Sequence, residues 1–430
     1  MIEIEQSQRQ KRQWYFLGIL PGAWAIVGSR WGSYLPSEPI FFSDLFIALL
    51  IISSIFSKSR VKRSVRFSLF VFLIFFLSFQ LLIADWNQPI TTLRDFMPYF
   101  YLAVAPIMAL RFISANDEVQ EAFGKVLEFC LVLHTLWCLS SFFIPKFSES
   151  LPLVNAAQGL HFFSIRPDFD ASITSVFIAM VILGRINLIS RKFQYFLIFF
   201  SIIYIFSQNN RASFISFVIL LVIAIQGRLK LVRNIDQRAF MKLVVVTVFL
   251  ISIIFIGQLS IGQKFLGTLN ANSNNISAQA GAGTASARLE AWKNVFNYSN
   301  SSPRRIAIGS GFGTDYLQDS GALRAMVNSE AGSRTNPRHP HNYWINSYAR
   351  LGLTGFLLIG LIIFSGLRMA LKICKNPFGY RNATLFSALL LIGVIPIASL
   401  GVVLESPFGA IAMSMTLGFM LAEMNREKAS

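Results

Sequence analysis

Long apolar runs alternate with short polar segments along almost the whole chain. Twelve of these runs approach the roughly 20 residues that a helix needs to cross a hydrocarbon core about 30 Å thick. The runs cover residues 14–28, 40–57, 67–84, 96–113, 123–144, 172–187, 192–207, 212–226, 242–259, 343–366, 384–403 and 408–423. We therefore predict an all-α integral membrane protein with about 12 transmembrane helices and one large loop between helices 9 and 10.

The same pattern divides one integrated membrane domain into three parts. Residues 1–259 carry nine predicted spans, residues 260–342 form the long loop, and residues 343–430 carry three spans. Within the loop, the stretch from Asn270 to Ala287 is rich in Asn, Ser, Ala and Gly, which predicts a flexible segment. Apolar residues at helical spacing between Arg288 and Asn297 then predict a short helix lying on the membrane surface.

Composition supports the membrane interpretation. Hydrophobic residues make up 54% of the 430 residues and charged residues 14%, against roughly 45–50% and 25% in soluble domains. The formal net charge of +17 comes from short basic clusters between the apolar runs. The positive-inside rule produces this pattern, whereas a nucleic-acid surface would concentrate the charge. These observations exclude a soluble enzyme, give no reason to expect nucleic acid, and place both termini in the cytoplasm.

The long loop does not follow this charge bias, because it lies on the outer side and is nevertheless basic. It has eight basic residues against four acidic ones. Long loops are exempt from the rule, so translocation that simply tolerates the charges is one explanation. An anionic ligand at the outer face is the other. The basic residues are Lys264, Arg288, Lys293, Arg304, Arg305, Arg324, Arg334 and Arg338.

Arg211 lies at the outer start of the eighth predicted span, directly after Asn210, which suits a helix N-cap. The helix macrodipole disfavours a cation at this end, and a charge near hydrocarbon is costly. Binding of an anion would account for the position. Snorkelling of the side chain to lipid phosphates would account for it equally.

His341 opens the tenth predicted span at its outer end. A helix N-terminus lowers the pKa of a histidine, which keeps the imidazole neutral and able to accept a proton near pH 7. Helical spacing puts Gly352 and Gly355 on the same helix face as His341, and these glycines would let another helix pack closely there. The alternative is that His341 only caps the helix, within an interfacial belt with Tyr343 and Trp344.

The remaining polar motifs are weaker candidates for a functional site than Arg211 and His341. The spacing of Asp168 and Asp170 would suit a divalent cation in sugar-nucleotide transfer, but nucleotide sugars are absent from the outer side. The glycine-rich run Gly309–Gly313 has no strand before it and is expected to form a turn rather than a phosphate loop. His134, His161 and the three cysteines show no metal-ligand spacing. We predict no metal site and no cofactor.

Four motifs together resemble the bacterial O-antigen ligase and polysaccharide polymerase superfamily. The resemblance covers about residues 200–360 by motif and the remaining chain by topology only. The motifs are Asn210-Arg211-Ala212-Ser213, Ala287-Arg288-Leu289-Glu290-Ala291-Trp292, Gly309-Ser310-Gly311-Phe312-Gly313, and His341-Asn342-Tyr343-Trp344 leading to Gly352 and Gly355.

The resemblance implies an inverting, metal-independent glycosyltransferase of the bacterial inner membrane, with its active site at the periplasmic face. Its donor would be a glycan on undecaprenyl diphosphate. His341 matches the proposed catalytic base of such enzymes, and Arg211 and Arg288 match the arginines that bind the diphosphate. The residues expected to support this site are Asn342, Trp292 and Arg338.

Three functions remain open at this stage. We expect a ligase, which would transfer the glycan to lipid A–core, because the basic loop suits a phosphorylated, anionic core. A polymerase would transfer it to a second lipid-linked glycan. A transporter or flippase would also have about twelve helices, but it would place its charged residues near the middle of the membrane rather than at the outer interface.

Overall fold

The protein is represented by a computed structural model and is a helical bundle. The structure describes residues 18–27, 42–55, 65–113, 117–144, 147–155, 160–162, 164–208, 210–230, 276–329 and 339–427. A two-stranded antiparallel hairpin, Leu153–Asn155 with Leu160–His161, is the only sheet in these described ranges. The first eight helices are α1 (Gly18–Val27), α2 (Phe42–Ile55), α3 (Val65–Leu82), α4 (Pro89–Ile113), α5 (Asp117–Phe143), α6 (Phe169–Ile182), α7 (Arg191–Ser207) and α8 (Arg211–Leu229). The remaining helices are α9 (Ile276–Ser299), α10 (Pro303–Ile308), α11 (Tyr316–Asp319), α12 (Ala322–Ser329), α13 (Tyr343–Lys375), α14 (Asn382–Leu400) and α15 (Pro407–Glu427).

Eleven of the twelve predicted spans coincide with a described helix, and the ninth, 242–259, lies outside the described residues. Four described helices are long and apolar enough to cross a membrane, namely α5, α8, α13 and α14. The chain is therefore a helical membrane protein. The total of twelve spans and the position of the long loop stay predictions.

Helix α14 forms the centre of the bundle. It packs against α6, α8, α13 and α15, and most of its length is buried. Small residues permit close packing, as where Gly393 lies against Ser172 of α6 and Ser216 of α8. This packing brings the starts of α6 and α8 to the same end of the bundle as the last turn of α14.

The segment predicted as a long loop contains more regular structure than expected. Helix α9 already begins at Ile276, so the prediction of a flexible stretch as far as Ala287 was wrong from Ile276 onward. Alanine-rich sequence favours a helix. The apolar residues predicted to lie together on the membrane surface do not share one environment. Val295 is buried in a small cluster with residues of α11 and α12, whereas Leu289 and Phe296 are exposed.

Helix α13 is broken at Gly352, whose backbone is not helical (φ 62°, ψ −168°). The glycine-rich run supplies the hydrogen bonds that this break removes: Ser310 N donates to Ala349 O at 2.8 Å and Gly311 N to Arg350 O at 2.9 Å. The run forms a turn, as predicted, with positive φ at Gly309, at residue 311 and at residue 313. Its structural task is to hold α10 against the kink in α13.

Candidate active site

His341 lies just outside α13, and its backbone is unusual. Its φ of 54° is the only positive φ of a non-glycine residue in the described part of the chain. Such a conformation carries a strain cost of about 1–3 kcal/mol and is found mainly where the surrounding structure imposes it. The prediction that His341 shares one helical face with Gly352 and Gly355 was wrong, because the histidine precedes the helix and the helix breaks at Gly352.

Two neighbours fix the turn that carries His341. Asn342 is the N-cap of α13, and its side chain accepts hydrogen bonds from Trp344 N at 3.0 Å and Ile345 N at 3.2 Å. From α9, Trp292 Nε1 donates to the backbone oxygen of Pro340 at 2.6 Å. His341 is therefore not the cap, and its turn is attached to α9.

Arg288 of α9 acts electrostatically on His341, and Arg211 of α8 in turn lies near Arg288. Arg288 Nη1 donates to the backbone oxygen of Leu400, at the end of α14, at 3.1 Å. Arg211 is the first residue of α8, after Asn210, whose side chain accepts from Ser213 N at 3.1 Å. The two guanidinium groups are near enough to repel each other. Two like charges held close together are typical of an anion site.

Arg166 and Asp168 join the site from the segment before α6. Arg166 Nε donates to Asp168 Oδ1 at 2.8 Å. The segment is attached to the start of α8, where Ser213 Oγ donates to the backbone oxygen of Pro167 at 3.2 Å. Both charged residues act electrostatically on His341. Asp168 thus belongs to the site, although the sequence had given no reason to place it there, whereas Asp170 is buried beside His134.

The site keeps His341 neutral. Its pKa is lowered to about 4, chiefly by burial and then by the positive charges of Arg288 and Arg166, while the carboxylate of Asp168 acts in the opposite direction. The direction agrees with the sequence prediction, but the cause differs: the prediction relied on the helix terminus. A neutral imidazole is the form that can accept a proton.

The connection between α14 and α15 forms another wall. A Cβ on Gly401 would lie 3.4 Å from Asp168 Oδ2, and Phe408 packs under Arg166 with 5.3 Å from guanidinium carbon to ring centre. Glu405, in the same connection, is buried, and the charge of Arg166 acts on its carboxyl. Sequence reasoning missed Glu405 because it lies far from the motifs in the chain.

A buried ion pair supports the site from beneath. Arg350 Nη1 lies 2.8 Å from Asp95 Oδ2, with both side chains almost fully buried. Asp95 Oδ2 also accepts from Gly313 N at 3.2 Å, and the Arg350 guanidinium lies over the Tyr316 ring at 4.9 Å. This pair ties the glycine turn to α4 and α13 and so fixes the kink below His341.

The described residues do not test two of the predictions, the supporting role of Arg338 and the metal independence of the site. Arg338 is outside the described residues. Within the described ranges, no group of three or more His, Cys, Asp or Glu side chains is placed to hold a metal ion. Metal independence stays a prediction from the resemblance.

The comparisons with known proteins bear on the region that contains Arg211, Arg288 and His341. Residues 196–360 match the family model described as O-antigen ligase. A comparison with curated proteins found no match. Over residues 196–360 the chain is therefore similar to the O-antigen ligase and polymerase superfamily of membrane proteins, which the sequence motifs had indicated.

Proposed function

We propose that the protein is an inverting, metal-independent glycosyltransferase that moves a glycan from undecaprenyl diphosphate to an acceptor sugar at the periplasmic face of the inner membrane. The acceptor that we propose is lipid A–core, which makes the protein an O-antigen ligase in lipopolysaccharide biosynthesis. The family match supports a ligase or polymerase type of membrane glycosyltransferase. The observation that carries the finer proposal is that Arg288 lies close enough to act electrostatically on both Arg211 and His341.

Charge supports a diphosphate as the bound group. With His341 neutral, three arginines and one aspartate give the cluster a formal charge of +2, supplied by Arg166, Arg211, Arg288 and Asp168. Negative charge grows on the leaving diphosphate as the glycosidic bond breaks. Guanidinium groups in a poorly hydrated site stabilise that charge with bidentate hydrogen bonds, so the arginines would perform the task that a divalent ion performs elsewhere.

His341 would act as the general base. It would remove the proton from the acceptor hydroxyl while that oxygen attacks the anomeric carbon on the face opposite the diphosphate, which inverts the configuration. A positioned base contributes about 10²–10⁴ in rate. In the free site the arginines depress the pKa of His341. A bound diphosphate would offset their charge, so donor binding would make the imidazole more basic when it is needed.

The positions of Arg211, Arg288 and His341 also weigh against a transporter. The three residues lie at the starts of α8 and α13 and on α9, not in the middle of the apolar helices. A polymerase would use the same site chemistry, and the family match includes that type. The acceptor therefore has to be determined by experiment.

Reconstitution of the purified protein tests the proposal. A lipid-diphosphate-linked oligosaccharide is supplied with and without lipid A–core, and the product size is read on a gel. A product that requires the core identifies a ligase. A ladder that grows from the donor alone identifies a polymerase, and the absence of product under both conditions would contradict glycosyl transfer.

A further inference from the structure

Glu405 is a buried carboxyl that makes no hydrogen bond to another residue in the described part of the chain. It ends the short 3-10 helix Val403–Glu405 between α14 and α15 and is 8% exposed. Neither Oε1 nor Oε2 accepts a hydrogen bond from another described residue. Leaving a buried polar group without a hydrogen-bonding partner destabilises the folded protein and calls for a functional explanation.

The surroundings of Glu405 join it to the proposed diphosphate site. Its backbone segment lies between Gly401, which approaches Asp168, and Phe408, which packs under Arg166. The charges of Arg166 and Arg350 act on its carboxyl. The titratable groups that also act electrostatically with it from the neighbouring elements are Tyr99, Tyr316 and Tyr343.

We propose that the Glu405 carboxyl hydrogen-bonds a hydroxyl group of the donor sugar that is attached directly to the diphosphate. This inference rests on the proposed function. A protonated carboxyl has one donor and free acceptor lone pairs, which matches a hydroxyl group in both directions. A sugar beside phosphates that contact Arg166 and Arg288 would bring such a hydroxyl to this wall of the site.

The protonation state of Glu405 suits this position. Burial raises its pKa to about 8, against the weaker opposing effects of its own backbone N–H and of the charges of Arg166 and Arg350. At pH 7 the carboxyl is therefore mostly neutral and does not repel the anionic diphosphate. Above pH 8 it ionises, loses its donor and adds a repulsive charge.

Binding measurements with two lipids test the proposal directly. The full-length protein in detergent is titrated with the lipid-diphosphate-linked oligosaccharide and with bare undecaprenyl diphosphate, which has no sugar. For Glu405→Ala we expect about tenfold weaker binding of the sugar-bearing lipid and unchanged binding of the bare lipid. Glu405→Gln, whose amide also donates and accepts, should stay within about threefold of wild type.

Glu423→Gln is the matched control. Glu423 is also buried, but its carboxyl accepts from Thr384 Oγ1 at 3.1 Å and contacts Arg426 at 2.8 Å, at the opposite end of α14 and α15. This variant should bind both lipids as wild type does. The wild type should also lose affinity for the sugar-bearing lipid above about pH 8, whereas Glu405→Gln should not.

Equal binding of the sugar-bearing lipid by wild type and Glu405→Ala would overturn the proposal, and so would an equal loss with both lipids. If Glu405→Ala changed only the KM for the acceptor in the transfer assay, the assignment of Glu405 to the donor sugar would be overturned. Binding is measured without transfer, so the two proposals can fail separately. If the protein shows the expected binding pattern but forms no product, the proposed reaction is rejected and the sugar contact is retained.

Discussion

The pH dependence of transfer follows from the environment of His341. The shift of its pKa from 6.5 to about 4 means that the free site disfavours the imidazolium by about 3 kcal/mol. Since only the neutral imidazole accepts a proton, activity is present above this pKa and is lost as pH falls through it. In the free enzyme about one His341 in a thousand is protonated at pH 7.

The two kinetic constants should therefore respond differently to acid. The pH profile of kcat/KM reports the free enzyme, and that of kcat reports the enzyme–substrate complex. We expect kcat/KM for the donor to stay level down to about pH 5 and to fall tenfold per unit below about pH 4. We expect the acid limb of kcat at a higher pH, because the bound diphosphate offsets the charges of Arg288 and Arg166.

Initial rates of glycan transfer in liposomes between about pH 3 and pH 8, at varied donor concentration, measure both profiles. His341→Ala should lower the rate by about 10²–10⁴ and abolish the limb. His161→Gln is the control, since this histidine bonds the Leu151 carbonyl in the hairpin, at 2.6 Å from Nδ1. Return of each sample to pH 7 checks that acid has not inactivated it. A kcat/KM limb near pH 6.5, or the same limb in His341→Ala, would refute the assignment of His341 as the base.

Three further predictions concern the support of the site. Trp292→Phe loses the 2.6 Å hydrogen bond to the turn before His341, so transfer should slow while the unfolding temperature falls by only the few degrees that about 1 kcal/mol represents. Arg350→Met leaves the buried Asp95 carboxylate uncompensated and should destabilise the protein by about 3–5 kcal/mol; replacing Asp95 by Leu as well should recover most of the loss in a thermal unfolding assay. Gly352→Ala places a Cβ 2.5 Å from a backbone nitrogen at positive φ and should lower the unfolding temperature, whereas Gly360→Ala in open space on the same helix should not.

Much of the site could be predicted because its residues lie in short motifs with clear local meaning. Arg211 follows an Asn that caps α8, and His341 directly precedes the cap of α13. Arg166 and Glu405 could not be found in this way, because they reach the site only through the packing of α6, α14 and α15. Tertiary contacts of this kind leave no spacing in the sequence.

The fold shows the same limit. Apolar runs located helices well, since burial in lipid or protein requires such runs whatever the topology. The start of α9 at Ile276 was missed because the Ala, Gly and Ser residues there were interpreted as flexible. The break in α13 at Gly352 was missed for a different reason: it depends on the distant glycine turn that binds the freed carbonyls.

Product formation by four proteins side by side tests the central claim most directly. Wild type, Arg211→Gln, Arg288→Gln and His341→Ala are reconstituted with the lipid-linked donor and lipid A–core, after equal folding has been checked by thermal unfolding. The account predicts product from wild type and at least about 100-fold slower transfer by each variant. Transfer at the wild-type rate by His341→Ala, or by both arginine variants, would contradict it.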